Sequence, residues 1–160
     1  MKSFVFAVTI DEVIVNAILR TDLNNGENFT VMDVVRPAEI SEDKFPFHKG
    51  DVMTISDVVK FASVSKQNGD LDITTLSMEE PTAKKIIELP EFKQVTISVT
   101  NEGATLTING EVVPGLEWTD HVEKGKSVSY KAELEGYTTQ EDTLTVGDED
   151  ITEEITLVEA

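Results

Sequence analysis

Residues Gly103 to Gly110 have the sequence GATLTING, which is the clearest indication of fold in the C-terminal part of the chain. Polar and apolar residues alternate through it, as they do in a strand with one buried and one exposed face. The Asn109-Gly110 pair at its end favours a tight two-residue turn, because both residues tolerate a positive φ. The stretch therefore predicts a half-buried strand that ends in a hairpin turn.

Short strands and turns of the same kind extend on both sides of this stretch. Val95, Ile97 and Val99 alternate with polar residues before it, and a second alternating set occupies positions 128, 130, 132 and 134. Regularly spaced short strands predict an all-β sandwich. We place this domain at residues 91–160, after a boundary near Pro90.

Residues 1–90 predict a mixed α+β domain of lower regularity. Lys2–Val8 is apolar and β-rich and predicts a first strand. Thr9-Ile10-Asp11-Glu12 has the spacing of a capping box, so a helix is expected from there to about Arg20. A strand is the alternative for the same residues, because apolar residues also alternate at Val13, Val15, Ala17 and Leu19.

Local signals predict the remaining elements of the N-terminal domain. Gly and Pro indicate loops, and the apolar runs between them indicate strands or helices. Glu80-Pro81 is expected to open a short helix, since proline is favoured in a first helical turn. The other predicted elements are a strand at Phe29–Val35, a loop at Ser41–Gly50, a short strand at Met53–Ile55, a helix capped by Ser56, and a strand or extended arm at Leu71–Leu76.

The chain is strongly acidic, and its charge is unevenly divided. With 31 acidic and 13 basic residues, the net charge is −18. Residues 1–90 contain 15 Asp or Glu and 9 Lys or Arg, a net charge of −6, while residues 91–160 contain 16 and 4, a net charge of −12. Phosphate contacts need clustered Lys and Arg, so neither nucleic acid nor an anionic membrane is expected as a partner.

Composition also restricts the chemistry and the location of the protein. The chain contains no Cys, which excludes disulfides, thiol catalysis and Cys-ligated zinc. The first apolar run ends at Thr9-Ile10-Asp11-Glu12, so it is too short for the apolar region of a signal peptide and ends in acidic residues rather than a small-residue cleavage site. No stretch approaches the roughly 20 apolar residues of a membrane span. We therefore expect a protein that is made and kept in the cytoplasm or that leaves the cell by lysis.

The C-terminal pattern resembles the PEGA-type, Ig-like β-sandwich modules of bacterial and phage surface proteins. The residues that carry the resemblance are Gly103–Gly110, the Lys124-Gly125 turn before the Val128 strand, and Gly136-Tyr137 after that strand. The family's Pro-Glu-Gly-Ala opening is reduced here to Glu102-Gly103-Ala104. The resemblance implies an Ig-like fold and a non-catalytic role at a surface.

A surface module on a chain expected to lack a secretion signal is typical of a virion component. The expected function is therefore that of a non-enzymatic phage structural protein: a capsid decoration, head fibre or tail appendage. It would dock on a capsid or tail protein through residues 1–90, display the acidic Ig-like module and form a homo-oligomer, with no cofactor. The rival interpretations are a carbohydrate-binding or adhesive module, an intracellular adaptor and, as the least favoured, an enzyme.

Three aromatic residues are the candidate binding residues. Phe45 and Phe47 flank Pro46 in a predicted loop, and we expect them to form an exposed anchor that contacts a capsid or tail partner. Trp118 lies in a turn-rich segment, where its ring could stack on a ligand or plug the open end of the sandwich. In the carbohydrate-binding alternative, Trp118, Tyr130 or Tyr137 would be the sugar platform.

Two acidic turns and the two histidines are the candidate metal ligands of the chain. Asp22–Asn28 begins like a calcium loop, but its twelfth position is Asp33, inside a predicted strand. Asp148-Glu149-Asp150 is interpreted as a charged turn. His48 and His121 are interpreted as loop or rim residues, because no pair of histidines has helical spacing. No metal site is therefore predicted.

Overall fold

The fold of the chain is largely β and consists of two compact units. A computed structural model describes residues 1–24 and 27–160. Within these residues it contains thirteen strands and one helix. The first unit comprises Met1–Glu91 and the second Phe92–Ala160. Each unit has a hydrophobic core of its own.

The N-terminal unit is built on one six-stranded sheet. Every neighbouring pair of strands in this sheet is antiparallel. The spatial order of its strands is β4-β3-β2-β1-β5-β6, so β2 and β1 lie at its centre. The strands are β1 (Lys2–Ile10), β2 (Val13–Leu23), β3 (Asn28–Val35), β4 (Val52–Thr54), β5 (Ile73–Glu80) and β6 (Ala83–Ile87).

The helix predicted up to Arg20 is wrong, because those residues form strand β2. Ile10 pairs with Val13, and the two residues between them form the turn with positive φ values of 48° for Asp11 and 66° for Glu12. The alternating pattern is the one that prevails: Ala17 and Leu19 are fully buried against the core. Pairing with β1 buries this face from Ala17 to Thr21, and a local capping signal does not outweigh that burial.

The helix predicted at Glu80-Pro81 is also wrong. Glu80 pairs with Ala83, so Pro81 lies in the turn between β5 and β6. A proline is compatible with this turn because the turn position needs no backbone N–H in the ladder. The predicted strands at Lys2–Val8 and Phe29–Val35 are confirmed as parts of β1 and β3.

One helix, α1 (Ile55–Asn68), packs against the sheet through Val58 and Ala62. Its N-cap is Thr54 rather than the predicted Ser56: the Thr54 hydroxyl accepts from the backbone N–H of Asp57, and the Asp57 carboxylate accepts from the backbone N–H of Thr54. The helix ends at Gly69, whose φ of 73° is left-handed. Within residues 1–24 and 27–160, no helix has the length and apolar character needed to cross a membrane.

The C-terminal unit contains two sheets. The order of one is β10-β7-β13, in which β13 runs parallel to β7, and the order of the other is β12-β11-β8-β9. Buried residues from both sheets, including Ile97, Leu106, Val128 and Ile155, belong to one core. The strands are β7 (Phe92–Val99), β8 (Thr105–Ile108), β9 (Glu111–Val112), β10 (Glu117–Glu123), β11 (Ser127–Glu133), β12 (Gln140–Thr145) and β13 (Ile151–Ile155).

The strand and turn predicted for Gly103–Gly110 are confirmed. Leu106 and Ile108 of β8 are buried, and the next two residues, Asn109 and Gly110, have positive φ values of 50° and 85°. The turn-rich interpretation of the segment around Trp118 is wrong, because that segment forms the seven-residue strand β10.

Candidate functional site

Phe45 and Phe47 lie in the core of the N-terminal unit. Phe45 is fully buried and Phe47 is 8% exposed. Their rings are 4.9 Å apart and make edge-on contacts with Phe61 of α1, and Phe45 makes a similar contact with Phe6 of β1. The prediction that the two rings form an exposed anchor is therefore wrong. Pro46 and Gly50 predict a surface loop, but the aromatic side chains of this segment point inward and pack in the core beneath α1.

Trp118 lies at the edge of the C-terminal core. It is paired with Ile97 of β7, and directly paired residues in a sheet point to the same face. Because Ile97 is fully buried, this pairing turns the indole toward the core. The indole packs against that core and is half-buried. Trp118 thus has both properties that the sequence left open, a core contact and an accessible surface.

The accessible side of Trp118 lines a cleft of about 380 Å³. The turn after β8, the short strand β9 and the connection to β10 form the rest of its wall. Val112 is 69% exposed there, and the backbone N–H of Val113 donates to the Leu106 carbonyl at 2.9 Å, which fixes this wall against β8. The other lining residues are Ile108, Asn109, Glu111 and Pro114.

The cleft combines an aromatic surface with a rigid polar turn. The Asn109 side-chain oxygen accepts from the backbone N–H of Ser129 at 2.9 Å and from its hydroxyl at 3.3 Å. Glu111 follows the turn and adds a carboxylate to the lining. A ring, aliphatic side chains and one carboxylate can hold a ligand by stacking and hydrogen bonding. Val112 and Pro114 were not predicted as site residues, although the apolar run that begins one residue after the Asn-Gly turn is the signal that could have revealed them.

The other two aromatic candidates, Tyr130 and Tyr137, pack in or against the C-terminal core. Tyr130 is 7% exposed, and its hydroxyl donates to a Glu153 carboxylate oxygen at 3.5 Å. Burial, followed by the nearby charges of Glu153 and Asp142, raises the pKa of the Tyr130 phenol. Tyr137 packs against the same core and forms an isolated bridge with Glu159. The structure therefore places Trp118, and not the tyrosines, in the cleft.

His48 and the acidic turn at Asp148 make polar contacts at the surface, whereas His121 lies within β10, opposite Gln94. His48 Nε2 lies 2.5 Å from Glu42 Oε1, and this hydrogen bond, together with the Arg36 guanidinium, lowers the pKa of Glu42. Asp148 accepts a hydrogen bond from Lys124, which lowers the pKa of Asp148.

No group of three or more His, Asp or Glu residues that could hold a metal ion occurs in the described part of the chain. Of the calcium-like segment Asp22–Asn28, Asn25 and Gly26 lie outside the described residues.

No protein-family model, curated protein or solved structure matches the chain.

Proposed function

We propose that the chain is a non-enzymatic structural protein of a tailed-phage virion, a capsid decoration or a component of a head fibre or appendage. Residues 1–90 would be an α+β assembly domain that contacts a capsid or tail protein. Residues 91–160 would be an Ig-like, PEGA-type sandwich that faces outward. The observation that carries this proposal is the joining of two compact units, each with its own core, of which the second is far more acidic.

The strand inventory of the C-terminal unit supports the Ig-like part of the proposal. It has seven strands divided between a sheet of four and a sheet of three, with a shared core. Ig-like sandwiches of the constant type have the same division of strands. The turn residues that carry the resemblance, Gly103, Gly110, Gly125 and Gly136, all have positive φ values in the structure.

The charge distribution supports the proposed polarity. Residues 91–160 carry a net charge of −12 and residues 1–90 a net charge of −6. Bringing like charges together in a contact costs free energy, and a solvated acidic surface favours solubility. Contacts with a partner are therefore less costly through the first unit, and the second unit is better suited to face solvent.

Mass spectrometry of purified particles tests the proposal. Particles from the culture that makes the protein would be separated on a density gradient from the host cytosol. We expect the chain in the particle fractions at a constant ratio to the major capsid protein. Recovery in the cytosol alone, in a complex with a host protein, would contradict the virion role and favour an intracellular adaptor.

A carbohydrate-binding module is the second candidate, and the cleft beside Trp118 favours it. A sugar stacked on the indole would change the fluorescence of Trp118, the single tryptophan of the chain. Val112→Lys would block the mouth of the cleft without touching the core, because this side chain is 69% exposed. Glycan-array binding that is lost in Val112→Lys would support this candidate, and an array without signal would contradict it.

A further inference from the structure

The six-stranded sheet has a second face, which points away from the core. Phe4 and Phe6 of β1 point into the core, so Ser3 and Val5 lie on the opposite side. We call this side the outer face. It carries two rows of side chains, each running across β3, β2, β1, β5 and β6, because the residues of a row are direct pairing partners.

The apolar row crosses the middle of the outer face. Its centre, Val5, is 8% exposed, while Val35 and Ile86 at its two ends are 38% and 64% exposed. Val5 is not a member of the core cluster beneath α1. Four of the five residues in the row are β-branched and apolar. In order across the sheet, they are Val35, Ile18, Val5, Ser77 and Ile86.

The charged row lies beside the apolar row, two residues along each strand. Arg20 Nη1 lies 2.6 Å from Asp33 Oδ2, and Lys84 Nζ lies 3.8 Å from Glu79 Oε1. In order across the sheet, the row consists of Asp33, Arg20, Ser3, Glu79 and Lys84. The signs are thus negative, positive, neutral, negative and positive. The row has no net charge, on a chain whose net charge is −18.

The first and last charges of the charged row have opposite signs, and so do the second and fourth. Two copies of the row that face each other in opposite order would therefore bring unlike charges together. A two-fold axis parallel to β1 would lay the outer face of a second copy on the first with the strand order inverted. Asp33 would then face Lys84 of the second copy, and Arg20 would face its Glu79. On the axis, Ser3 and Val5 would each meet their own counterparts.

Sheet geometry permits these contacts. Facing sheets lie about 10 Å apart. A departure from this alignment of up to about 30°, the range found between the sheets of a sandwich, would displace positions on the outer strands by about 5 Å. Long Arg, Lys and Glu side chains can span that displacement. A contact that extended over all five strands along the length of β1, about 19 Å by 27 Å on each copy, would bury at most about 1,000 Å² in total, the lower limit for a specific interface.

We propose that the outer face is a self-association interface through which two copies of this chain form a symmetric dimer. Two chains of charge −18 repel each other, so a contact between them must be locally neutral and complementary, and the outer face has both properties. The inference goes beyond the proposed function, because it holds for this chain in isolation, with or without a virion.

Analytical ultracentrifugation of the full chain over a concentration series tests the proposal with matched variants. Arg20→Glu would place like charges across the axis twice in each dimer, and we expect the dissociation constant to rise about tenfold or more. Lys131→Glu is the control: its side chain is 42% exposed against 41% for Arg20, and it too removes an ion pair from a strand. In the same way, Ile86→Lys should weaken the dimer, whereas Val112→Lys, at a site of similar exposure, should not.

The double variant Arg20→Glu with Glu79→Lys separates the interface from the pairs within one chain. It makes both intrachain pairs repulsive but restores opposite charges across the axis. We expect it to recover most of the dimer that Arg20→Glu loses, with circular dichroism showing a folded chain in every case. A chain that stays monomeric at all concentrations, or a dimer that is insensitive to Arg20→Glu and Ile86→Lys, would overturn the proposal.

Cross-linking locates the axis. Since the chain has no Cys, Ser3→Cys would introduce a single thiol next to its counterpart, and a short bismaleimide should link two chains. Lys84→Cys lies two strands from the axis, so its two thiols would be about 19 Å apart and should not be linked. Linking of Lys84→Cys as readily as Ser3→Cys, or of neither variant, would contradict this arrangement.

Discussion

At the scale of single residues, the turn between β1 and β2 places two ordinary residues in left-handed backbone. Asp11 and Glu12 have φ values of 48° and 66°. Left-handed backbone costs an L-residue about 1–2 kcal/mol, whereas fixing a glycine costs about 0.5–1 kcal/mol. Strain at this turn therefore exceeds the entropy cost of relieving it.

Glu12→Gly should stabilise the N-terminal unit by about 0.5–1 kcal/mol, because glycine accepts the left-handed conformation without strain. The measurement is the free energy of unfolding in urea, followed by circular dichroism. Glu102→Gly is the control: Glu102 is also an exposed turn residue, but its φ is not positive, so the substitution should be neutral or slightly destabilising. A loss of stability in Glu12→Gly would contradict the assignment of the turn.

Tyr130 should make the C-terminal unit sensitive to alkaline pH. The phenol has a raised pKa in the fold because burial disfavours the phenolate, and Glu153 adds to this. Its stabilising effect is complete below the ordinary pKa of about 10, where folded and unfolded chains are both protonated, and is lost as the pH rises through the folded value.

The Tyr130→Phe variant removes this effect. Between about pH 8 and about pH 11, the wild-type chain should lose more unfolding free energy than Tyr130→Phe does, with Trp118 fluorescence as the probe. Equal losses in the two chains would show that this phenol does not resist ionisation in the folded state.

At the scale of elements, the start of helix α1 tests which of two neighbouring side chains caps it. Thr54 and Asp57 form a reciprocal capping box, while Ser56 is an exposed residue in the first turn. Thr54→Ala should reduce the free energy of unfolding by about 1 kcal/mol. Ser56→Ala should change it by only a few tenths of a kcal/mol, because alanine is also a good helix former. The opposite ranking in urea unfolding would make Ser56 the cap.

Elements set by local pattern were predictable, and those set by distant partners were not. The Thr105–Ile108 strand and its Asn-Gly turn follow from alternation and from the φ preference of two residues. The segment up to Arg20 carries signals for both a helix and a strand, and only its pairing with β1 decides between them. Phe45 could not be assigned to the core from its loop, because its burial depends on Phe6 and Phe61, which are distant in sequence.

The candidate sites also combine features that a local pattern predicts with features that depend on residues distant in sequence. Trp118 could be singled out from composition, as the one indole in the chain, but the cleft beside it depends on the path of the chain after β8. The two rows of the outer face are invisible in the linear sequence. Ser3, Arg20 and Glu79 become neighbours only through the register of three strands.

At the scale of the whole molecule, two separate cores predict two separable unfolding transitions. The α1 helix lies in the first unit and Trp118 in the second, so helical circular dichroism and tryptophan fluorescence report on different units. Phe45→Ala should destabilise the first unit by about 3–5 kcal/mol, because the ring is fully buried. The fluorescence transition should stay in place, and an equal shift of both transitions would contradict independent cores.

The proposed role assigns opposite surroundings to the two ends of the chain. The first unit would be held in a protein assembly, and the acidic second unit would project into solvent. This polarity distinguishes the virion proposal from a cytoplasmic adaptor and from a free carbohydrate-binding protein. Neither alternative requires one end of the chain to be hidden.

Antibody access to tags on intact particles tests the proposed polarity of the chain. Two forms of the full chain would be compared, one with an epitope tag before Met1 and one with the same tag after Ala160, both recovered with purified particles. We predict that the antibody binds the C-terminal tag on intact particles and reaches the N-terminal tag only after the particles are dissociated. Absence of both chains from particles, or free access to the N-terminal tag with a hidden C-terminal tag, would contradict the account.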